Sequence, residues 1–106
     1  MLFAHRSVNE DWIIRSYAPG DRGALFAFFE EALAGMGYEF IPGGKDSDIG
    51  DIEVIYTGSR GSFRVVEAGG KVQGTVGVRY FSEGVCELKR LYLGKALRGR
   101  GVGHAL

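Results

Sequence analysis

The sequence lacks most of the features that would set it apart from an ordinary single-domain protein. Its 106 residues include one cysteine, Cys86, so no disulfide can form within the chain. It has two prolines, and no apolar run approaches the roughly 20 residues of a membrane-spanning helix. The N-terminal residues also lack an apolar core followed by a cleavage site. We therefore expect a protein with no membrane partner and a cytoplasmic location.

An excess of charge of either sign is also missing. Thirteen basic residues balance thirteen acidic ones, which gives a formal net charge of zero. Nucleic-acid binders normally carry a basic excess, because phosphate neutralisation dominates their affinity. An RGG-like tail at residues 98–101 is therefore disfavoured, and no nucleic-acid partner is expected. Any anion-binding site in this chain must be local.

Metal-ligand spacing is absent from the histidine, cysteine and acidic residues, so no metal is expected. Asp46, Asp48 and Asp51 resemble the start of a calcium loop, but the later glycine and glutamate ligands are missing. Helix capping and solvation are the preferred interpretation of these three carboxylates.

Cys86 is predicted to be a small buried hydrophobic residue, and a nucleophilic role is not supported. The two histidines, His5 and His104, show no evident pairing with it. His5 is expected in a loose leader over residues 1–11, whereas His104 is expected in the first turn of a helix.

Glycine is abundant, with 18 residues, and it divides the chain into short elements. Residues 12–17 predict a strand, and helical spacing from Asp21 to Met36 predicts a helix. A loop over residues 38–46 leads to a second helix, with Ile49, Ile52 and either Ile55 or Tyr56 on one face.

Three further runs have the composition of strands: residues 62–68, 71–80 and 85–93. Gly69-Gly70 separates the first two and favours a tight hairpin turn, so the three runs predict an antiparallel meander. The fold class is therefore α+β, a mainly antiparallel sheet with helices packed on it, in a single domain over residues 12–106.

The glycine-rich stretch from Arg98 to His104 lies between a strand and a predicted helix start. Glycines leave backbone N–H groups free to converge, and a helix N-terminus favours anions. The spacing does not match the dinucleotide-binding or P-loop patterns. What it does match is Arg98-x-x-Gly101-x-Gly103, directly after the strand ELKRLYL.

This pattern resembles motif A of the GNAT superfamily of N-acetyltransferases, Gln/Arg-x-x-Gly-x-Gly/Ala at a strand-to-helix turn. The resemblance extends over residues 12–106, because KVQGTVGVRY and VCELKRLYL are similar to the third and fourth strands of bacterial members. The element order is similar to the first half of that fold, ending after the start of its third helix.

The resemblance implies acetyl-CoA as cosubstrate, with no metal. Backbone groups of the strand would pair with the pantetheine arm, and an amide there would polarise the thioester carbonyl. Glycine-turn N–H groups would hold the pyrophosphate, with the arginines adding charge. The implied cofactor-binding residues are Leu91, Tyr92, Leu93, Arg98, Gly99, Arg100, Gly101, Val102, Gly103 and His104.

The implied reaction is direct attack of a primary amine on the thioester, with Glu87 as the general base. Glu87 would lie between its strand and the next, in a partly apolar cleft. The alternative is a structural glutamate paired with Lys89, Arg90 or Arg79. The acceptor, a small molecule or a peptide amine, would lie near residues 36–45.

The family continues for some tens of residues beyond this point, including a fifth strand that walls the pantetheine gap. We therefore expect either a fragment of a longer acetyltransferase or a truncated relative. The truncated relative would pair with a second copy through residues 85–93, an open sheet edge. A CoA-binding module without turnover is the alternative function.

Overall fold

The computed structural model describes the backbone of residues 4–6, all of residues 12–94, and Leu97. Within these residues the strands are β1 (Ala4–Arg6), β2 (Trp12–Ser16), β3 (Ser62–Ala68), β4 (Lys71–Ser82) and β5 (Val85–Leu93). The helices are α1 (Arg22–Ala34), α2 (Ser47–Gly50) and α3 (Ile52–Ile55), and short 3-10 turns span Pro19–Asp21 and Thr57–Ser59. The predicted α+β class, an antiparallel sheet with helices packed on it, is confirmed.

The described strands form one antiparallel five-stranded sheet, in the order β1-β2-β3-β4-β5. Each strand therefore pairs with its neighbours in sequence, as the predicted meander requires. Gly69 and Gly70 form the β3–β4 turn with φ values of 61° and 77°. Both angles are left-handed, so a glycine pair suits this two-residue hairpin turn.

The first strand was not predicted. Ala4–Arg6 pairs antiparallel with β2, with Ala4 opposite Arg15. The expectation of a loose leader does not hold for these three residues, and the backbone of His5 lies in β1. Three residues are too few to show a hydrophobic alternation, which is why the sequence pattern missed the strand.

The predicted second helix is divided in two. Asp51 separates α2 from α3 with φ −132° and ψ 46°, outside the helical region. Gly50 and Asp51 are both weak helix formers, so a helix is easily interrupted there. The predicted apolar face nevertheless exists, because Ile49, Ile52 and Tyr56 are all buried.

The sheet buries apolar side chains on both faces. On the helix side, the cluster contains Tyr17, Leu25, Phe28, Phe29, Ile49, Ile52, Tyr56, Phe63, Val65 and Val72. On the opposite side, a smaller cluster contains Trp12, Ile14, Val66 and Leu97. Val65 and Val66 fall in different clusters, as the alternation of side chains along β3 requires.

Gly77 allows the helix-side core to close on β4. A Cβ atom at this position would lie 2.7 Å from Tyr56 Cε1 and 3.1 Å from Phe63 Cδ2. Both rings are buried and stack edge to face, with 5.1 Å between their centroids. The rings therefore occupy the space that any side chain at position 77 would need.

We expect Gly77→Ala to destabilise the fold by about 1–3 kcal/mol, because the added methyl group overpacks two buried rings. Denaturant unfolding measures this loss. Gly23→Ala is the matched control, since nothing lies within 4 Å of a Cβ there and the position is in α1. It should leave stability unchanged or raise it. An unchanged midpoint for Gly77→Ala would contradict the packing argument.

Candidate functional site

The predicted site residues divide between β5 and a stretch outside the described residues. Glu87 and Leu91–Leu93 lie on β5, which has β4 as its only neighbour in the described sheet. The predicted phosphate-binding residues, Arg98–His104, fall outside the described residues. Within the described residues, the candidate site therefore consists of β5, its side chains and the helices that they contact.

Glu87 lies opposite Arg79 of β4, and their charged groups approach to 4.0 Å. The two residues share the sheet face of Gly77, the face on which the helices pack. The Glu87 side chain is 49% exposed and pairs with one of the three cations that the sequence offered. An open, ion-paired carboxylate replaces the expected partly apolar cleft, and a general-base role stays a prediction.

The hairpin end of β5 extends beyond the core. Cys86 is exposed there, so the prediction of a buried cysteine is wrong. Val85, Leu88 and Leu91 are exposed as well. Pairing of β5 with a second copy, predicted from the sequence, stays a prediction.

A β-bulge interrupts the pairing of β5 with β4. Gly77 lies opposite Lys89, but Thr75 lies opposite Tyr92, so β5 has one extra residue between these pairs. Arg90 takes up the irregularity with a left-handed φ of 56°. As a result Lys89, Arg90 and Tyr92 all reach the helix side of the sheet, which strict alternation would not allow.

The Arg90 side chain ends in a largely buried ion cluster, which we call the Arg90 cluster: Arg90, Asp46, Asp48 and Tyr56. Its Nε donates to Asp48 Oδ2 at 2.9 Å, and its Nη2 donates to Asp48 Oδ1 at 2.6 Å. Nη2 also donates to Asp46 Oδ1 at 3.0 Å. The pair with Asp48 has the two-point geometry that guanidinium and carboxylate groups favour.

Each carboxylate of the cluster has a second set of partners. Tyr56 Oη donates to Asp48 Oδ2 at 2.6 Å. Asp46 Oδ2 accepts from the Ile41 amide and from Lys45 Nζ, both at 2.8 Å. The side chain of Asp46 is only 5% exposed, so these bonds compensate for the loss of water.

The cluster shifts the titration of its members. Burial alone would raise the pKa of Asp48, but hydrogen bonds from Arg90 and Tyr56 outweigh it and hold that pKa below its ordinary value. The pKa of Asp46 is lowered in the same way, against its burial, by the Ile41 amide, Lys45 and Arg90. Burial and the bond to Asp48 raise the pKa of Tyr56.

The expected capping role of the aspartates is wrong. Asp46 precedes α2 without a side-chain capping bond, and Asp48 bonds to Arg90 and Tyr56 instead. Arg90 itself was considered only as a partner for Glu87. The sequence signal for the cluster was the pair Asp46 and Asp48 beside a predicted helix start. That signal did not identify Arg90 as their partner.

The proposed acceptor region, residues 36–45, contains both exposed and packed side chains. Met36 and Tyr38 are exposed. Phe40 packs on α1, with its ring 5.3 Å from that of Phe26 and 5.9 Å from that of Phe29. Phe29 in turn contacts Tyr92 of β5, at 5.4 Å between ring centroids. The region is therefore connected to β5 through aromatic packing.

Neither a metal-ligand cluster nor a membrane-spanning helix is found in the described part of the chain. Within it, no group of three or more histidine, cysteine or acidic side chains is placed to hold a metal ion. No helix there combines the length and apolar character needed to cross a bilayer.

Comparison of the sequence with protein-family models and curated proteins gives one clear result. The model of the acetyltransferase (GNAT) family matches residues 42–106, more than half of the chain. The matched segment includes the Arg90 cluster and all of β5. A comparison with curated proteins found no match.

Solved structures show the same fold. A GNAT-family acetyltransferase from Staphylococcus aureus MU50 superposes with a TM-score of 0.79 and 22% identity, over 90% of this chain and 60% of that one. An acetyltransferase from Streptococcus agalactiae 2603 gives 0.78 and 21%, over 91% and 61%. Glucosamine-6-phosphate N-acetyltransferase from Arabidopsis thaliana gives 0.59 and 19%, over 91% and 69%. The chain thus spans about 60% of the length of the two bacterial proteins, and the likeness establishes the fold.

Asp48→Asn should lower stability at neutral pH by about 2 kcal/mol, because it removes the charge that Arg90 and Tyr56 contact. Since folding lowers the pKa of Asp48 from 3.8, its contribution is present above that value and is lost as pH falls through the folded pKa. The wild type should therefore lose stability below about pH 4, and the variant should lose less. Urea unfolding across this range measures both effects.

The matched control is Asp51→Asn, an exposed aspartate without a capping bond at the start of α3. It should unfold like the wild type at neutral pH. Equal acid sensitivity of Asp48→Asn and the wild type would contradict the assignment of this pH dependence to Asp48.

Proposed function

Because the chain belongs to the GNAT acetyltransferase family, we propose that it binds acetyl-CoA and serves transfer of the acetyl group to a primary amine. The observation that carries the proposal is β5. It lies at one edge of the described sheet and has a bulge at Arg90, immediately before the residues predicted to pair with the pantetheine arm.

The residues of β5 fit an extended, amide-bearing ligand. The edge of β5 that faces away from β4 has no strand beside it among the described residues. Main-chain N–H and C=O groups on such an edge can form hydrogen bonds to another extended chain. Acetyl-CoA would supply an acyl group activated as a thioester. The strand would hold and orient the arm that carries it.

The proton balance of the reaction gives Glu87 its proposed role. A new N–C bond forms as the C–S bond of the thioester breaks, CoA leaves as its thiolate, and the attacking amine must lose a proton. The Glu87 carboxylate, on the helix side of β5, would accept it directly or through one water. Arg79, 4.0 Å away, pairs with this carboxylate and would orient it before the transfer.

Acetyl-CoA and CoA should both raise the melting temperature of the chain, and ATP should raise it little. A ligand that binds only the folded state stabilises it by an amount that grows with the logarithm of one plus the ratio of the ligand concentration to Kd. Gly101→Glu should abolish both shifts, because a carboxylate would occupy the position proposed for phosphate. Thermal-shift measurements with the three ligands test this.

Gly23→Glu, the same substitution at an exposed position of α1, should retain the shifts. A wild-type chain that responds to neither acetyl-CoA nor CoA would refute the ligand assignment. Shifts without product from any amine would instead favour the alternative function, a CoA-binding module without turnover.

Glu87→Gln should lower the rate of acetyl transfer by about 100-fold or more, because the amide cannot accept the proton. Its affinity for acetyl-CoA should stay at the wild-type value. Mass-spectrometric detection of acetylated product, over a panel of primary amines, measures the rate. Glu83→Gln, in the exposed turn between β4 and β5, is the control and should remain active. Undiminished turnover by Glu87→Gln would exclude this residue as the base.

A further inference from the structure

We propose that Arg90 and Thr75 are positioning residues that fix the peptide between Arg90 and Leu91, so that the Leu91 N–H points to the acyl group of bound acetyl-CoA. This inference rests on the proposed function. Thr75 has no role in the sequence patterns, and Arg90 was considered there only as a partner for Glu87.

The peptide between Arg90 and Leu91 is held by a hydrogen bond to its carbonyl oxygen. Thr75 Oγ1 donates a hydrogen bond to the Arg90 carbonyl oxygen at 2.8 Å. Thr75 is on β4 and is completely buried, so this bond holds the carbonyl toward β4 from within the sheet. A trans peptide is planar, with its C=O and N–H directed oppositely. The Leu91 N–H therefore points away from Thr75 and toward the edge of β5 that faces away from β4.

The unusual backbone angle of Arg90 is held by its side chain. Steric crowding of Cβ disfavours a non-glycine residue in the left-handed region, and Arg90 adopts a φ of 56°. The guanidinium offsets this cost with its contacts to Asp48 and Asp46, and it lies 5.6 Å from the centre of the Phe29 ring. The bulge is thus held at both ends of the residue, by the carbonyl and by the side chain.

The carboxylates of Asp46 and Asp48 are in turn held by other residues. Asp46 is bound by the amide of Ile41, and Asp48 by the hydroxyl of Tyr56. Hydrogen bonds therefore connect the loop before α2 to the Arg90 guanidinium. The Arg90 side chain connects the guanidinium to the Arg90–Leu91 peptide. That loop belongs to the proposed acceptor region. Displacing it would turn the same peptide.

The inference makes acetyl-CoA and CoA distinguishable. A correctly aimed N–H can bond the thioester carbonyl of acetyl-CoA, whereas CoA has no such carbonyl. Variants that turn the peptide should lose affinity for acetyl-CoA and keep their affinity for CoA. A variant that only weakens the fold should change both affinities together, or neither.

The experiment measures both dissociation constants by titration calorimetry for the wild-type chain, Arg90→Lys and Thr75→Val. Arg90→Lys keeps the charge but loses the two-point contact, and Thr75→Val keeps the shape but loses the hydroxyl. We expect each to weaken acetyl-CoA binding about five-fold or more. CoA binding should change by less than about two-fold. Ile52→Val, in the buried face of α3, is the stability control and should leave both constants unchanged.

Equal losses for the two ligands, or no loss for either, would overturn the inference and leave the proposed function standing. Failure of the wild type to bind either ligand would refute the proposed function. In that case amide hydrogen exchange in the free protein decides the positioning role. Arg90→Lys should then speed exchange both in residues 41–48 and in residues 89–93, and a change confined to β5 would overturn it.

Discussion

The two-point contact between the Arg90 guanidinium and the Asp48 carboxylate is the interaction on which the geometry of β5 depends. It provides two of the three hydrogen bonds by which the guanidinium compensates for a left-handed residue in the middle of the pairing of β5 with β4. The contact also joins the sheet to the segment that contains α2 and α3. Buried ion pairs often add little net stability, because desolvation offsets the Coulomb attraction. Here the effect on geometry matters more than the effect on stability, because the contact fixes β5 relative to α2 and the loop before it.

The meander and the first helix could be predicted because their signals are local. Gly69-Gly70 between two β-rich runs identifies a hairpin, and buried Leu25, Phe28 and Phe29 repeat at helical spacing. The second helix was predicted as continuous because its apolar face continues through Gly50 and Asp51. Ile49 and Ile52, on either side of Gly50 and Asp51, are both buried. Tertiary packing therefore maintains the apolar face although the helix is interrupted at Asp51.

The Arg90 cluster could not be predicted from local patterns. Arg90 is 44 residues from Asp46 and 42 from Asp48, and no periodicity connects such positions. The bulge is equally invisible, since alternation along ELKRLYL places Lys89 and Arg90 on opposite faces. In the fold one extra residue brings both to the helix side. The role of Glu87 was predicted from resemblance, and the structure adds an ion pair with Arg79 that the sequence offered only as one of three.

Glycine usage in this chain explains why position 90 is an arginine. Among the described residues, Gly37, Gly69, Gly70 and Gly84 take positive φ values, as glycine does without steric cost. Arg60 and Arg90 are the non-glycine residues with positive φ in that part of the chain. Each has a contact that glycine could not make: the Arg60 guanidinium lies 5.3 Å from the centre of the Tyr80 ring, and that of Arg90 binds two aspartates. A glycine would form the bulge more easily, but Asp48 would lose its two-point contact and Asp46 would keep only Lys45 as an ion-pair partner. The side chain, more than the backbone angle, is therefore what this position requires.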